Sequence, residues 1–386
     1  MASRSEQGCL AAILFAVVCG LVQTASGVVV AAVLPQQTPD TTTPAADDRV
    51  GTKVIVTVAG AALRTPEAIV WKAYLGETFT VSLTNGEWLW INEKGGWLWD
   101  RETVSFDTAV EEFSRRVQAD PSAENFHLRG IAFLAHKHFD KAIADFSDSL
   151  KKRPGQAGVL NNRGQAWYLK EDYASSIDDL NAAIKADPKH FLAYNNRALC
   201  YIAAEQFDDA LPDLNVAIQL HKEYPEALNN RGVVHSKAGN YAAAVKDFSA
   251  ALNIDNNYID AYGNRAFAHR QLGNDELAIN DLKTAMIKDP GDFQPANDLA
   301  WMYATSQTES IRNPEEAVRL ATAACTLSQY EDWNALDTLA ATHAANGDFD
   351  KAKQWVTTAL QKAPAAQKEQ ITEHQQLILA GKPVVP

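Results

Sequence analysis

The sequence contains little cysteine and little positive charge, and each shortage argues against a class of function. Four cysteines occur among 386 residues, and two of them, Cys9 and Cys19, lie in an N-terminal apolar stretch. The other two, Cys200 and Cys325, are 125 residues apart, which disfavours a disulfide scaffold, a zinc cluster and a cysteine redox pair. Lys and Arg total 35 against 48 Asp and Glu, for a net charge of -13. That balance argues against nucleic-acid binding, because phosphate neutralisation needs a basic face.

Motifs of the common enzyme classes are absent as well. The chain has no GxxxxGK[ST] or GxGxxG nucleotide loop and no HExxH metal motif. Its nine histidines are scattered, and His136 and His138 stand two residues apart, which is poor spacing for metal ligands on a helix. The letters of SxxK occur at 149–152 without a partner motif. We therefore predict no catalytic residue, no metal site and no cofactor, in a protein that is not an enzyme.

A weakly positive start and a short apolar run open the chain. Arg4 precedes the apolar run 9–22, and small residues (QTASG) follow it, an order typical of a secretory signal. We predict a signal peptide at 1–27 and an exported protein, in the periplasm, in the cell envelope or secreted. A second apolar run to residue 34 leaves two alternatives open, an uncleaved membrane anchor and a buried helix of a cytosolic protein.

A Pro/Thr-rich linker at 28–50 is followed by short alternating segments. Alternation of β-branched, aromatic and polar residues predicts strands, and NEKG predicts a hairpin tip between the last two. Closely spaced short strands predict a small all-β barrel at 51–106. The predicted strands are 54–58, 78–81, 88–91 and 96–99.

The barrel region resembles a known family of small β domains. Its Gly76-Glu77, the NGEWLWI of 85–91 and the GWL of 96–98 are similar to the G-x-W-x-x-I … GWV signature of bacterial SH3-like domains. The resemblance implies an SH3-like barrel with an aromatic groove for a peptide or a glycan strand.

Tryptophan is concentrated in this region. Period-2 alternation places Leu89 and Ile91 on one face of their strand and the neighbouring tryptophans on the other. These tryptophans either bind a peptide or glycan on the barrel surface, or cover a small core and the connection to the next domain. The predicted surface residues are Trp88, Trp90, Trp97 and Trp99.

Past residue 106 the pattern is helical and repeats every 34 residues. Arg-Gly or Arg-Ala dipeptides recur at this step, as do small residues early in a second helix and prolines after it. This period resembles the tetratricopeptide repeat (TPR), a helix pair that stacks into a superhelix with a concave surface. The resemblance implies a mostly α fold, a right-handed TPR superhelix of about seven helix pairs. We predict a leading helix at 107–122, seven repeats at 123–366 with an insertion at 305–313 in the sixth, and a capping helix and tail at 367–386.

Each of five repeats carries an arginine and, 16 residues later, an aspartate. Repeats six and seven drop both partners together, with Leu299 and Leu320 in one and Leu339 and Trp355 in the other. Joint loss predicts a paired contact, so we interpret the pairs as structural bridges between the two helices of a repeat. The predicted pairs are Arg129–Asp145, Arg163–Asp179, Arg197–Asp213, Arg231–Asp247 and Arg265–Asp281.

Asparagines recur just before these arginines. An asparagine amide offers a donor and an acceptor, so it can hold a peptide bond whatever the side chains of the ligand. The series resembles the asparagine ladder in the repeats of O-GlcNAc transferase, which implies binding of extended peptides by their backbone. The alternative is that the amides bond neighbouring helices within the stack. The candidate ligand-binding residues are Asn161, Asn162, Asn195, Asn196, Asn229, Asn230 and Asn264.

Together these patterns predict a non-enzymatic scaffold whose concave TPR groove binds an extended segment of another protein outside the cytoplasm. The alternative is a cell-envelope targeting module, in which the SH3-like barrel binds peptidoglycan or another glycan and the repeats act as a spacer. The predicted partner is thus a protein or peptide, with cell-wall glycan as the alternative. A membrane would be contacted only through residues 9–34, and only if this segment is not cleaved.

Overall fold

The computed structural model describes residues 48–384. They divide into two compact units, 48–227 and 228–384, and each is described by itself. The predicted signal peptide, the alternative anchor and most of the predicted linker lie outside the described residues. Within the described part of the chain, no helix is long and apolar enough to cross a membrane.

The first unit begins with eight short strands in two antiparallel sheets. One sheet has the strand order β4-β1-β8 and the other the order β3-β2-β7-β6-β5. The strands are β1 (Lys53–Val56), β2 (Ala61–Arg64), β3 (Ile69–Ala73), β4 (Thr78–Thr80), β5 (Leu83–Asn85), β6 (Trp88–Ile91), β7 (Gly96–Trp99) and β8 (Thr103–Ser105).

Alternation along β6 and β7 positions the core of this β region. Leu89, Ile91 and Leu98 are fully buried, and they pack with Phe79 and other apolar residues of both sheets. The intervening tryptophans are only half-buried, because successive residues of a strand point to opposite faces. Ile91 pairs with Gly96 across a four-residue turn, as the sequence predicts.

The rest of the described chain is helical. Sixteen α-helices lie in the described residues, and α2 to α15 form seven pairs, of which the sixth carries the longer segment 306–313 between its helices. The fold is therefore a mostly helical repeat array preceded by a small β region. The helices are α1 (Ala109–Ala119), α2 (Ala123–Ala135), α3 (Phe139–Lys152), α4 (Ala157–Leu169), α5 (Tyr173–Ala186), α6 (Phe191–Ala203), α7 (Phe207–Leu220), α8 (Pro225–Lys237), α9 (Tyr241–Ile254), α10 (Ile259–Gln271), α11 (Asp275–Lys288), α12 (Gln294–Thr305), α13 (Pro314–Leu327), α14 (Trp333–Ala345), α15 (Phe349–Lys362) and α16 (Lys368–Leu379).

In every repeat except the sixth, the turn between the two helices has a residue in the left-handed region at the same position. Gly239 and Gly273 adopt φ values of 75° and 74°, and Glu171 adopts 63° at the corresponding position of an earlier repeat. A left-handed residue ends a helix by letting the next amides bond back to its last carbonyls. In the second repeat, the amides of Glu171 and Asp172 bond to the carbonyls of Tyr168 and Trp167. The repeat thus turns at a fixed place even where glycine is missing.

The crossing of the two helices of a repeat depends on a small residue on the first helix and a large one 16 positions later. A Cβ atom on Gly232 would lie 2.5 Å from Cε1 of Phe248. Where the first helix carries Ala266 instead, the residue 16 positions later is Leu282, and both are buried in one cluster. The size of one residue therefore limits the size of the other.

We expect Gly232→Ala to lower the free energy of unfolding by about 1–3 kcal/mol, because the phenyl ring must leave its preferred position. The double variant Gly232→Ala/Phe248→Leu reproduces the pair Ala266–Leu282 and should recover at least half of the loss. Thermal unfolding of the wild type and both variants measures this. A double variant that is less stable than Gly232→Ala would show that this contact does not limit the crossing.

Candidate functional site

Five arginines on the first helices each hold an aspartate on the second helix of the same repeat. In every pair, Nε donates to Oδ2 and Nη2 donates to Oδ1 over 2.6–2.8 Å. The aspartates are only 4–7% exposed. Such two-bond pairs fix the angle between the helices as well as their distance. The pairs formed are Arg129–Asp145, Arg163–Asp179, Arg197–Asp213, Arg231–Asp247 and Arg265–Asp281, the five that the sequence predicts.

In the sixth and seventh repeats, apolar contacts stand where the earlier repeats have an ion pair. Leu299, Leu320 and Leu339 are buried in one hydrophobic cluster, and Trp355 packs against it. Both charged residues are replaced by apolar ones together. Replacing only one of them would leave a buried charge without its partner, which is strongly destabilising. These residues hold the helices of their repeats together.

In the first unit, the asparagines bond the first helices of successive repeats to one another. Nδ2 of Asn196 donates to Oδ1 of Asn161 over 2.9 Å, and Nδ2 of Asn161 donates to Oδ1 of Asn162 over 3.2 Å. Nδ2 of Asn162 lies 3.0 Å from Nε2 of His127, and Nδ2 of Asn195 lies 3.5 Å from Oδ1 of Asn196. A chain of amides therefore runs from α2 through α4 to α6.

The second unit repeats this contact. Nδ2 of Asn264 donates to Oδ1 of Asn229 over 2.9 Å, from α10 to α8. All seven asparagines, including Asn230, are 0–5% exposed. The arrangement agrees with the alternative expectation, in which the amides bond neighbouring helices of the stack. Binding of a peptide by the same amides stays a prediction.

A pocket opens in the second unit between the first helices α10, α12 and α14. It holds about 480 Å³ of open space, including its mouth, and Phe267, Leu282, Trp301 and Met302 form apolar walls. Polar side chains face it from the same helices: Arg270, Asn297, Asp298, Asn334 and Thr338. A concave site with apolar walls and a few polar groups is the usual form of a ligand-binding site.

Most residues of this pocket are not predicted from the sequence, although the repeat period indicates two of them. Asn297 and Asp298 stand 34 residues after Gly263 and Asn264, so they occupy the positions of the asparagine pairs in the sixth repeat. Asp298 takes the place of the second asparagine and accepts hydrogen bonds from Gln294 Nε2 at 2.8 Å and from Asn297 Nδ2 at 3.3 Å. The asparagine series thus continues into the pocket in altered form.

Burial of charged groups governs the electrostatics of the pocket. It raises the pKa of Asp298 to about 6, against the hydrogen bonds from Gln294 and Asn297 and the charge of Arg270, all of which lower it. Burial also lowers the pKa of Arg270, against the charges of Asp298 and Asp275, which raise it. The pocket therefore holds one cation beside a carboxyl group, that of Asp298, which ionises less readily than in water.

The β region offers a second group of aromatic side chains. Trp88 pairs with Trp99, and Trp90 pairs with Trp97, across β6 and β7. The rings of Trp90 and Trp97 meet edge to face, with their centroids 5.3 Å apart. All four rings are half-buried, so each retains exposed surface and also contributes to packing, in keeping with both functions that the sequence leaves open.

The turn between β3 and β4 connects the β region to the helices of the first unit. Glu77 accepts hydrogen bonds from Trp71 Nε1 at 3.2 Å and from the Tyr74 amide at 2.9 Å. The ring of Tyr74 lies 6.2 Å from that of Phe191 on α6. Burial raises the pKa of Glu77 to about 7, with opposing contributions from the Tyr74 hydrogen bond and from Lys94. A carboxyl group of unusual pKa therefore supports a contact with the third repeat.

Side chains that could perform chemistry occupy structural positions. Ser149, the first residue of the SxxK sequence at 149–152, is buried and donates to the Ala123 carbonyl over 2.7 Å. Cys200 and Cys325 are buried free thiols whose pKa values burial raises to about 11 and about 12. Residues 48–384 bring together no group of three or more His, Cys, Asp or Glu side chains that could hold a metal ion.

Comparison with protein families identifies the helical repeats. Models of the tetratricopeptide repeat match residues 127–191, 168–225 and 225–258. The chain therefore contains tetratricopeptide repeats, as the 34-residue period indicates. No curated protein sequence matches the chain.

One of the similar solved structures supports the same fold. The structure of the APC/C hetero-tetramer Cut9–Hcn1 aligns with a TM-score of 0.54 and 18% identity, over 61% of this chain and 46% of that chain. The match thus spans less than half the length of that relative and shows the fold alone. A tetratricopeptide repeat protein from Parabacteroides merdae aligns over 67% of this chain and 99% of that chain, with 18% identity and a TM-score of 0.47. YrrB, described as a TPR protein with an unusual peptide-binding site, aligns over 47% of this chain and 94% of that chain, with 22% identity and a TM-score of 0.38.

Proposed function

We propose that this protein is a non-enzymatic scaffold that binds an extended segment of another protein along the first helices of its repeats. The observation that carries the proposal is the pocket between α10, α12 and α14, which combines apolar walls with several polar side chains. TPR arrays use their first helices to line a concave binding surface. The polar groups suit the peptide bond, and the apolar walls suit a side chain of the segment.

The asparagine series is the second element of the proposal. Asn162 and Asn196 each use one amide hydrogen and one acceptor lone pair in bonds to neighbouring side chains. Each amide therefore has one further hydrogen and one further lone pair. Because both residues are 2–4% exposed, a peptide that contacts them has to lie directly on the first helices.

The test is binding of the full chain to an array of extended peptides, beside a variant with Asn162, Asn196, Asn230 and Asn264 changed to alanine. We expect the wild type to bind and the variant to lose at least tenfold in affinity, because backbone recognition by paired amides is removed. Binding should survive scrambling of a peptide and be lost when its backbone nitrogens are methylated.

The melting temperature of the variant separates the two roles of the asparagines. A lower melting temperature with unchanged affinity, measured well below unfolding, would show that the amides only bond the helices. Failure of every peptide to bind the wild type would contradict the scaffold proposal itself.

We further propose that the protein acts outside the cytoplasm, in keeping with the N-terminal pattern of a secretory signal. In that location a second candidate function is cell-envelope targeting through the β region. The paired, half-buried tryptophans of β6 and β7 favour it, because indole rings can stack on sugar or peptide surfaces. Co-sedimentation of the full chain with insoluble peptidoglycan, with no peptide bound on the array, would favour targeting over the scaffold.

A further inference from the structure

The pocket between α10, α12 and α14 contains a buried acceptor that the described residues leave unpaired. Asn297 is 2% exposed, and its Oδ1 atom has no hydrogen-bond partner. The orientation of the amide follows from its other end, which donates to the Asp298 carboxylate, an acceptor when ionised at neutral pH. A buried acceptor without a donor costs free energy. A ligand that supplies an N–H group would remove that cost.

Arg270 is the complementary group on the facing helix. Its guanidinium carries five N–H donors, yet it forms no hydrogen bond or ion pair within residues 48–384. Asp275 and Asp298 act on it only through their charges. This sets Arg270 apart from the five arginines of the bridges, each of which has its own aspartate. A partly buried guanidinium without an acceptor is suited to a carbonyl or carboxylate group of a ligand.

The remaining surroundings decide between a charged and a neutral ligand. Arg270 and Asp298 bring opposite charges to the same pocket, so neither a positive nor a negative side chain meets a single opposite charge there. A charged side chain would also lose its water among apolar walls, which costs free energy. The walls are formed by Phe267, Leu282, Trp301 and Met302, which favour an apolar side chain.

We propose that this pocket is the anchor of the groove and holds one large, uncharged, apolar residue of the bound segment. The backbone carbonyl of that residue accepts from Arg270, and its backbone N–H donates to Oδ1 of Asn297. The inference rests on the proposed scaffold function and names the residue class that the scaffold selects. It differs from the asparagine series, which would hold a peptide without regard to its side chains.

The experiment measures fluorescence anisotropy of labelled Gly/Ser decapeptides whose central residue is Leu, Phe, Asp or Lys, with the full chain. We expect the Leu and Phe peptides to bind about tenfold tighter than the Asp and Lys peptides, because only an apolar side chain fills the pocket. Methylation of the backbone nitrogen of the central Leu should remove this advantage, since Asn297 then has no donor. Methylation three residues away should leave it unchanged.

Two variants test the polar contacts, with a third as control. Arg270→Gln and Asn297→Leu should each weaken the Leu peptide about tenfold. Arg319→Gln alters an exposed arginine that is paired only with Glu316, and it should bind like the wild type. Asn297→Leu removes an unpaired buried acceptor but also the hydrogen bond to Asp298, so its melting temperature is measured and affinities are compared well below unfolding. A lower melting temperature with unchanged affinity for the Leu peptide would show that Asn297 has only a structural role.

Several results would overturn the anchor. Equal affinity for all four peptides, or tighter binding of the Asp or Lys peptide, would do so, as would unchanged affinity in both pocket variants. A wild type that is a dimer, and that Asn297→Leu converts to a monomer, would show that a second copy of the chain occupies the pocket. If array peptides still bind in these cases, the scaffold proposal stands without the anchor. If no peptide binds on the array or in solution, both proposals fail.

Discussion

Arg197→Ala is expected to lower the free energy of unfolding by about 3–5 kcal/mol, because it leaves a buried carboxylate without its partner. Asp213 is 5% exposed and accepts from Nε and Nη2 of Arg197 at 2.7 and 2.6 Å. Nη1 of the same arginine donates to Asn181 over 2.6 Å. Three hydrogen bonds between α6 and α5 or α7 are therefore lost at once. Thermal and urea unfolding of the full chain measure the effect.

Arg319→Ala is the matched control for this prediction. Arg319 also donates twice to one carboxylate, with N–O distances of 2.7 and 2.6 Å to Glu316, but its side chain is 66% exposed. Water solvates both charges when such a pair is broken, so the loss should be about 0–1 kcal/mol. Asn196→Ala should also cost less than Arg197→Ala. Equal, small losses in all three variants would contradict the view that the bridges stabilise the repeats.

Sequence alone predicts the helical part of this fold in detail because its signal is repeated. The 34-residue step predicts five ion pairs, and the joint loss of both partners in the sixth and seventh repeats supports the pairing. A repeat compared with its neighbours gives the information that a single helix lacks. The left-handed turn residue follows the same period in the structure, even where Glu171 stands in place of glycine.

The β region was predicted only in part, for a physical reason. Strands β6 and β7 follow from alternating Trp and aliphatic residues, whereas β2, with the sequence AALR, contains no β-branched or aromatic residue. Its Leu63 is fully buried because the fold supplies partners on both sides. Strand preference depends on such neighbours more than on the residue itself. The SH3-like identity of the region stays a prediction.

The pocket was missed because it lies where the repeat departs from its own pattern. Asp298 stands where the earlier repeats have an asparagine, and Trp301 stands where Phe267 stands one repeat earlier. Within residues 48–384, Arg270 has no aspartate partner, unlike the five bridge arginines on the first helices of the repeats. These residues do not follow the 34-residue period, so the period does not predict them. The unpaired state of Asn297 Oδ1 depends on three-dimensional contacts between helices, which no sequence spacing contains.

Glu77→Gln is expected to stabilise the first unit at neutral and higher pH and to leave it nearly unchanged at pH 4.5. Burial raises the pKa of Glu77 from 4.5 to about 7, so the folded state binds a proton that the unfolded state has released between these pH values. The free energy of unfolding therefore falls as pH rises through this interval, by up to about 3 kcal/mol in all. Glutamine mimics the protonated carboxyl group, and the variant should lose this decline. Thermal unfolding from pH 4.5 to 8 measures it.

The neighbours of Glu77 account for the direction of the effect. Lys94, whose Nζ lies 3.9 Å from the Trp71 ring centroid, favours the ionised carboxylate, and the charge of Glu226 disfavours it. Burial outweighs both, so the neutral form is preferred in the folded state. Glu87→Gln is the control in the same β region, because Glu87 is exposed and its hydrogen bond from Arg101 lowers its pKa. Glu87→Gln should not remove the decline of stability between pH 4.5 and 7. A wild type whose melting temperature rises across that interval would contradict the prediction, since a carboxyl group of raised pKa can only weaken the fold as it ionises.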